Sequence, residues 1–171
     1  RGSEMRIPCA LLLALLVPLI VTAQGRRVSS QFRQAVEYDG NLAFTRVIYG
    51  SGLRGFGFGG AAWSHDYPAA DKNLSAIIDY ITNIRVRLDG TNVLDLDDPE
   101  ILQNPVLYVW GPGFWTIQPS EARQLRDYLL KGGFVIFDDF EGPDHWANMV
   151  AQMRQALPEH QFIRIDESHP I

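Results

Sequence analysis

Two adjacent carboxylates, Asp138 and Asp139, end an apolar run and open a loop that also holds Glu141, Asp144 and His145. A second loop carries His65, Asp66 and Tyr67, and His169 lies near the end of the chain. Carboxylates beside histidines suit two kinds of chemistry. They could hold a divalent metal. They could also form a general acid–base pair, in which one carboxylate raises the pKa of the other. Asp138, Asp139, His65 and His145 are therefore the candidate catalytic residues. The spacing matches no recognisable metal motif, so no metal and no cofactor is predicted. "SHD" at 64–66 is not a catalytic triad, because consecutive side chains diverge whereas triad members converge from distant positions. Local structural roles compete with every acid: Asp66 and Asp144 are each placed to cap a helix, and one of the paired aspartates could fix loop amides.

Aromatic residues crowd the same regions. "WGPGFW" (110–115) follows an apolar run, and Trp110 and Trp115 there could stack on a sugar or anchor a protein partner; folding back as core is the alternative. Together with Asp66, Tyr67, Asp138, Asp139 and Glu141 they make the candidate ligand-binding set. "GSGLRGFGFGG" (50–60) lacks the lysine and the order of a phosphate-binding loop, and its Phe56 and Phe58 suit a flap better.

The elements that must position these residues can be read from periodicity. "NLAFTRVIYG" (41–50) and "IRVRL" (84–88) alternate as strands do, and "DDPEILQN" (97–104) predicts a single turn or a short helix with Pro99 near its first position. A helix is predicted from about Pro68 to Asp71 onward, with Leu74, Ile77, Ile78 and Ile81 on its apolar face. "PVLYVWG" (105–111) and "FVIF" (134–137) are continuous apolar runs, as expected of parallel strands covered on both faces. Between them lies a helix with Pro119 at its start, Ala122, Leu125 and Leu129 inward, and Gly132-Gly133 at its end. A last helix carries Trp146, Met149, Val150, Met153 and Leu157, and "FIRI" (162–165) reads as a final strand. Alternating strands and helices predict an α/β fold, a flavodoxin-like three-layer α/β/α sandwich with a mainly parallel sheet. In such sheets ligands sit beyond the carboxyl ends of the strands, where Asp138 and Asp139 fall.

The N-terminus reads differently. After "RGSE", a possible cloning scar or early start, Met5-Arg6 leads into an apolar run from Ile7 to Val21 that closes on Val21-Thr22-Ala23. This is the pattern of a secretory signal peptide over 1–23, cleaved before Gln24, and it predicts a periplasmic or extracellular protein with no stable membrane insertion after cleavage. The organisation expected is signal 1–23, a polar lead-in 24–40 and one α/β domain 41–171. The single cysteine, Cys9, leaves with the signal, so the mature chain has no disulfide, cysteine nucleophile or cysteine metal site. Loss of Arg1, Arg6 and Glu4 shifts the formal charge from -5 to -6, which argues against nucleic acid as a partner.

"WSHDYPAADKNL", "LDLDDPEILQNPVLYVWG", "EARQLRDYLLKGGFVIFDDFEG" and "ESHPI" resemble the bacterial domain-of-unknown-function family forty-one fifty-nine, from about Phe44 to Ile171. The resemblance implies kinship with class I glutamine-amidotransferase-like proteins, whose cysteine nucleophile occupies a strand-to-helix corner that reads Asp138-Asp139 here. It implies no established activity. It also implies truncation at the C-terminus, since members usually continue past the His-Pro-Ile motif. The function expected is a non-catalytic module that binds a saccharide or an envelope protein. The alternative is a hydrolase that uses a carboxylate pair with a histidine, with or without a metal.

Overall fold

The computed structural model describes residues 32–51 and 62–170. The predicted signal segment 1–23, residues 24–31 of the lead-in and the greater part of the glycine-rich loop, including Phe56 and Phe58, lie outside the described residues. The chain divides at Arg33/Gln34, and every element below belongs to the second unit. Among the described residues no helix is long and apolar enough to cross a membrane.

The described residues form six strands: β1 (Thr45–Ile48), β2 (Gly50–Ser51), β3 (Asn92–Asp95), β4 (Val106–Trp110), β5 (Trp115–Thr116) and β6 (Phe134–Asp138). Among the described residues the α-helices are α1 (Ala69–Ile81), α2 (Pro119–Leu130) and α3 (Gly142–Ala156). The main sheet is parallel throughout, in the order β3-β1-β4-β6, while β2 and β5 form a separate antiparallel pair. Renumbered along the chain the main sheet reads 2-1-3-4, the order of a flavodoxin-like fold, and strand order reverses between β1 and β4. β4 and β6 pair in register from Val106 with Phe134 to Trp110 with Asp138, as the two apolar runs predict.

The register separates the two faces of this sheet. Thr45, Val47, Leu94, Leu107, Val109, Val135 and Phe137 share one face, where Trp115 packs on Phe137 with ring centroids 5.2 Å apart. Helices α2 and α3 cover that side, with Ala122, Leu125, Tyr128, Met149 and Met153 buried. Arg46, Tyr108, Trp110, Ile136 and Asp138 share the other face, under α1 and the turn Ala62–Ser64. The local signals of α2 are those expected: Pro119 in its first turn, Glu121 accepting from the Gln118 N–H at 2.6 Å, and Gly132 closing it at φ 94°.

Four expectations need correction. First, the inward side of α1 carries Asp71 and Ser75, with Leu74 and Ile78 only half-buried. Asp71 turns in to meet Arg46, and at 100° per residue that rotation leaves Ile77 and Ile81 exposed. Second, "IRVRL" makes one bridge, Val86 to Leu42, and is held by the Arg87 guanidinium on Glu37 O and Asp39. Third, "FIRI" is no strand. Phe162, Ile163 and Ile165 are all exposed, so the alternation has no buried face to serve, and Phe162 packs against Trp146 instead. Fourth, β6 is an edge of the sheet among the described residues and not its interior, and Phe134 is 62% exposed.

Candidate functional site

Four carboxyl-edge segments meet beside the reversal of strand order: the ends of β1, β4 and β6 and the turn before α1. The tie between β1 and β4 is Tyr49, whose hydroxyl donates to Trp110 O at 2.8 Å, with Gly111 O at 3.0 Å. Burial pushes the Tyr49 phenol well above its ordinary pKa, so it remains a donor.

Arg46 is the centre of the arrangement. Its side chain and that of Asp71 are both 0% exposed, and the guanidinium grips the carboxylate through Nε and Nη2. Nη1 donates to Trp63 O at 2.9 Å and His65 O at 3.3 Å. The guanidinium carbon lies 5.0 Å from the Tyr108 ring centroid and 6.0 Å from that of Tyr67, within cation–π range. One buried cation thus sets the course of the 63–65 turn and the planes of two tyrosine rings. Arginine at the second position of the apolar strand "TRVI" is the signal that sequence reasoning passed over. Asp71, 25 residues away, had none.

Tyr108 links this buried layer to the surface, its hydroxyl donating to Asp138 Oδ2 at 2.9 Å. Burial, followed by the hydrogen bond to Asp138 and the charge of that carboxylate, raises the Tyr108 pKa strongly, so the phenol stays protonated. The other oxygen of Asp138 accepts from the Asp139 N–H at 2.8 Å. Asp138 therefore serves the loop and the layer beneath it while remaining exposed. Asp139 is exposed with φ 64°, and Asp66 in the opposite loop has φ 56°. These are the non-glycine residues with positive φ among the described residues, and aspartate is among the side chains that tolerate that region best.

The candidate residues fall into separate groups. His65 stacks on Trp110, centroids 4.5 Å apart and 13° from parallel, and its Nδ1 lies 3.1 Å from Asp66 Oδ2. Trp110 pairs in register with Asp138. Asp66, His65, Trp110, Asp138 and Tyr108 therefore form one continuous chain of contacts, with Tyr67 beside Arg46. His145 belongs elsewhere. Its ring packs edge-on against Phe114, and its Nδ1 accepts the Glu141 N–H at 3.0 Å. It leans so closely on Gly113 that a Cβ there would come within 2.1 Å of the ring. Glu141 is the exposed N-cap residue of α3, and Asp144 lies in its first turn without capping it. Trp115 is a correction: it is 0% exposed, enclosed between Phe137 and the α3 side, and so is core and not a ligand contact. Among the described residues no group of three or more histidine, cysteine, aspartate or glutamate side chains is placed to hold a metal ion.

Residues 43–171 match a family model described as Domain of unknown function (DUF4159). The chain belongs to that family. No curated protein matches it. The carboxyl-edge arrangement of this DUF4159 domain is an exposed imidazole stacked on a half-buried indole, flanked by two carboxylates and resting on a buried arginine–aspartate pair. Such a surface can stack an apolar sugar face and accept hydrogen bonds from hydroxyls.

Proposed function

We propose that this domain is a non-catalytic binding module of the cell envelope, exported through its N-terminal segment, and that its carboxyl edge takes a saccharide. The observation that carries this reading is that Asp138, of the aspartate pair, and the two histidines are engaged by different partners. Asp138 accepts from Tyr108 and the Asp139 N–H, whereas His145 is engaged by Glu141 and His65 by Trp110. A hydrolytic acid–base pair needs carboxylate and imidazole converging on one reacting atom. The His65–Trp110 stack, with its imidazole exposed and Asp66 and Asp138 at its rim, suits a pyranose lying on the imidazole with its hydroxyls directed to the carboxylates. An amidotransferase-like ancestry fits the same reading, since the corner that would hold the nucleophile reads Asp138-Asp139 and offers no thiol.

Calorimetric titration with a panel of soluble envelope oligosaccharides tests the proposal. One or more should bind saturably, and His65→Ala and Asp138→Asn should each weaken binding at least tenfold. Absence of binding across the panel overturns it. The alternative, a hydrolase, draws on the 3.1 Å contact of His65 with Asp66, which could orient an imidazole as a base. Turnover of a glycoside or ester substrate, abolished by His65→Ala, would favour that alternative, and elemental analysis of the purified protein would identify any metal assistance. Export has its own test: mass spectrometry of the secreted protein should place the mature N-terminus at Gln24, and a mature chain starting at Met5 in the membrane fraction contradicts it.

A further inference from the structure

A second concavity lies along α3, and none of the carboxyl-edge candidate residues lines it. After Leu157 the chain turns back along α3, so that Phe162 meets Trp146, sixteen positions earlier, with ring centroids 5.3 Å apart in an edge-to-face contact. Between the helix and the returning segment is a cleft of about 330 Å³. Val150, Met153 and Leu157 are its apolar lining, and Trp146 and Phe162 close one end. Phe140 backs Trp146 at 5.8 Å and holds that end as a three-ring cluster. The volume falls within the range of small-molecule sites, roughly 300–1,000 Å³, and the composition is theirs too: apolar walls with a few polar groups.

Arg154 supplies the specificity. It lines the cleft in the last turn of α3, and among the described residues its side chain makes no ion pair and no hydrogen bond. Arg126, by contrast, is paired with Glu159. His160 also lines the cleft. In a chain of net charge -5, an unpaired guanidinium beside apolar walls makes this spot complementary to an anion. Eight residues separate Trp146 from Arg154, about 12 Å along the helix. An occupant of matching length would place an apolar end against the rings and an anionic end at the guanidinium.

We propose that this cleft binds an amphipathic carboxylate, an aryl- or branched-acyl carboxylic acid with an apolar body about as long as those two helical turns. The proposal is independent of the carboxyl-edge reading. Titration of the full chain with 5-phenylvalerate, followed by calorimetry and by ¹H–¹⁵N shift mapping, tests it. Saturable binding should shift the amides of Val150, Arg154 and Phe162. The neutral amide of the same ligand and the Arg154→Gln variant should each lower affinity tenfold or more. Val150→Trp, which fills the cleft from a half-buried position, should abolish binding with an unchanged melting temperature. Absence of saturable binding overturns the proposal. So does equal affinity for acid and amide, which would mark an indifferent apolar patch. Binding of an amphipathic peptide without binding of phenylvalerate also overturns it, in favour of a protein partner.

Discussion

The two faces of the parallel sheet are held by different physics. On the side of α2 and α3, Val47, Leu94, Leu107 and Val109 meet Leu125, Met149 and Trp115. Each such burial contributes about 1.5–3 kcal/mol, and no residue there must point in a particular direction for chemistry. On the α1 side the corresponding positions are Arg46, Tyr108, Trp110 and Asp138, joined by hydrogen bonds and ring contacts to Asp71 and His65. A buried ion pair is close to neutral for net stability, because desolvation offsets the attraction. What the polar face supplies is direction: Arg46 fixes the carbonyls of Trp63 and His65, and so the imidazole above them. The apolar face keeps the domain folded, and the polar face presents its carboxyl edge.

The sharpest way to break this contrast is to remove one member of the ion pair. Asp71→Ala leaves a guanidinium buried without its counter-ion and should cost about 3–5 kcal/mol. That is a large part of the stability of an ordinary domain, about 5–15 kcal/mol. Urea denaturation measures it. The double variant Arg46→Met/Asp71→Leu removes both charges and should recover all but about 1–2 kcal/mol, the remainder reflecting the carbonyls of Trp63 and His65 left without a donor. It should nevertheless lose saccharide binding. A double variant as unstable as Asp71→Ala would show that the polar face contributes stability in its own right.

Leu107→Ala, on the opposite face, should cost about 3 kcal/mol through lost burial and a residual cavity. Its affinity for a carboxyl-edge ligand should be unchanged in the temperature range where it is folded. If affinity falls as well, the two faces are coupled.

Each face also buries an acid, which gives a comparison by pH. Asp71 has its guanidinium. Glu121, on the α2 side, makes no ion pair among the described residues: burial pushes its pKa from 4.5 up to about 7, the capping hydrogen bond from Gln118 opposes this, and the charges of Asp97 and Asp95 add to the rise. A folded pKa above the unfolded value means that the native state binds more protons between those two values. Stability is then fully present below pH 4.5 and falls as pH rises towards 7, by a total of up to about 3 kcal/mol. Thermal melts from pH 4 to 8 should show the decline, and Glu121→Gln, which can still accept the Gln118 N–H, should flatten it. A flat profile in the unmodified protein would mean that Glu121 is solvated as a free carboxylate is.

What could be read from the sequence follows the same division. β4, β6 and α2 were legible because their determinants are local: continuous apolar runs, a proline at the start of a helix, glycines at its end. The α/β class and the mainly parallel sheet followed from alternation of strands and helices. β3 was not seen, since its four residues "NVLD" are too few and too mixed to show a period. α1 was located, but its inward side was misjudged, because Ile77 and Ile81 form as good an apolar stripe as any and only the distant Arg46 turns Asp71 inward. The same applies to the site. Asp138, His65 and Trp110 were recognisable by type and by position at strand ends. Arg46, Asp71 and Tyr108, which hold them, are joined across 25 to 62 residues of chain by contacts that no local pattern encodes. Trp115 was misassigned for the complementary reason: it shares a short motif with Trp110, and one turn of chain sends it to the other face.

The smallest effect concerns the aspartate pair at the boundary between the layers. Asp138 and Asp139 are adjacent and exposed, yet they differ in what they hold. Asp138 accepts from Tyr108 and from the Asp139 N–H. Asp139 contributes a backbone turn at φ 64°. Asp138→Ala should therefore cost about 1 kcal/mol, the worth of a partly exposed hydrogen bond together with a tyrosine hydroxyl that must find water instead. Asp139→Asn keeps a residue that tolerates the left-handed region and should change stability by less than about 0.5 kcal/mol. Asp138→Asn separates charge from hydrogen bonding, since the amide oxygen can accept the Asp139 N–H while the NH2 donates to the Tyr108 hydroxyl oxygen. It should melt close to the unmodified protein while losing saccharide affinity at least tenfold. Melting curves for the three variants beside their binding isotherms decide the matter. If Asp138→Asn retains full affinity, the carboxylate is a strut for the Tyr108 ring and the loop, and the ligand surface must lie over the His65–Asp66 side alone.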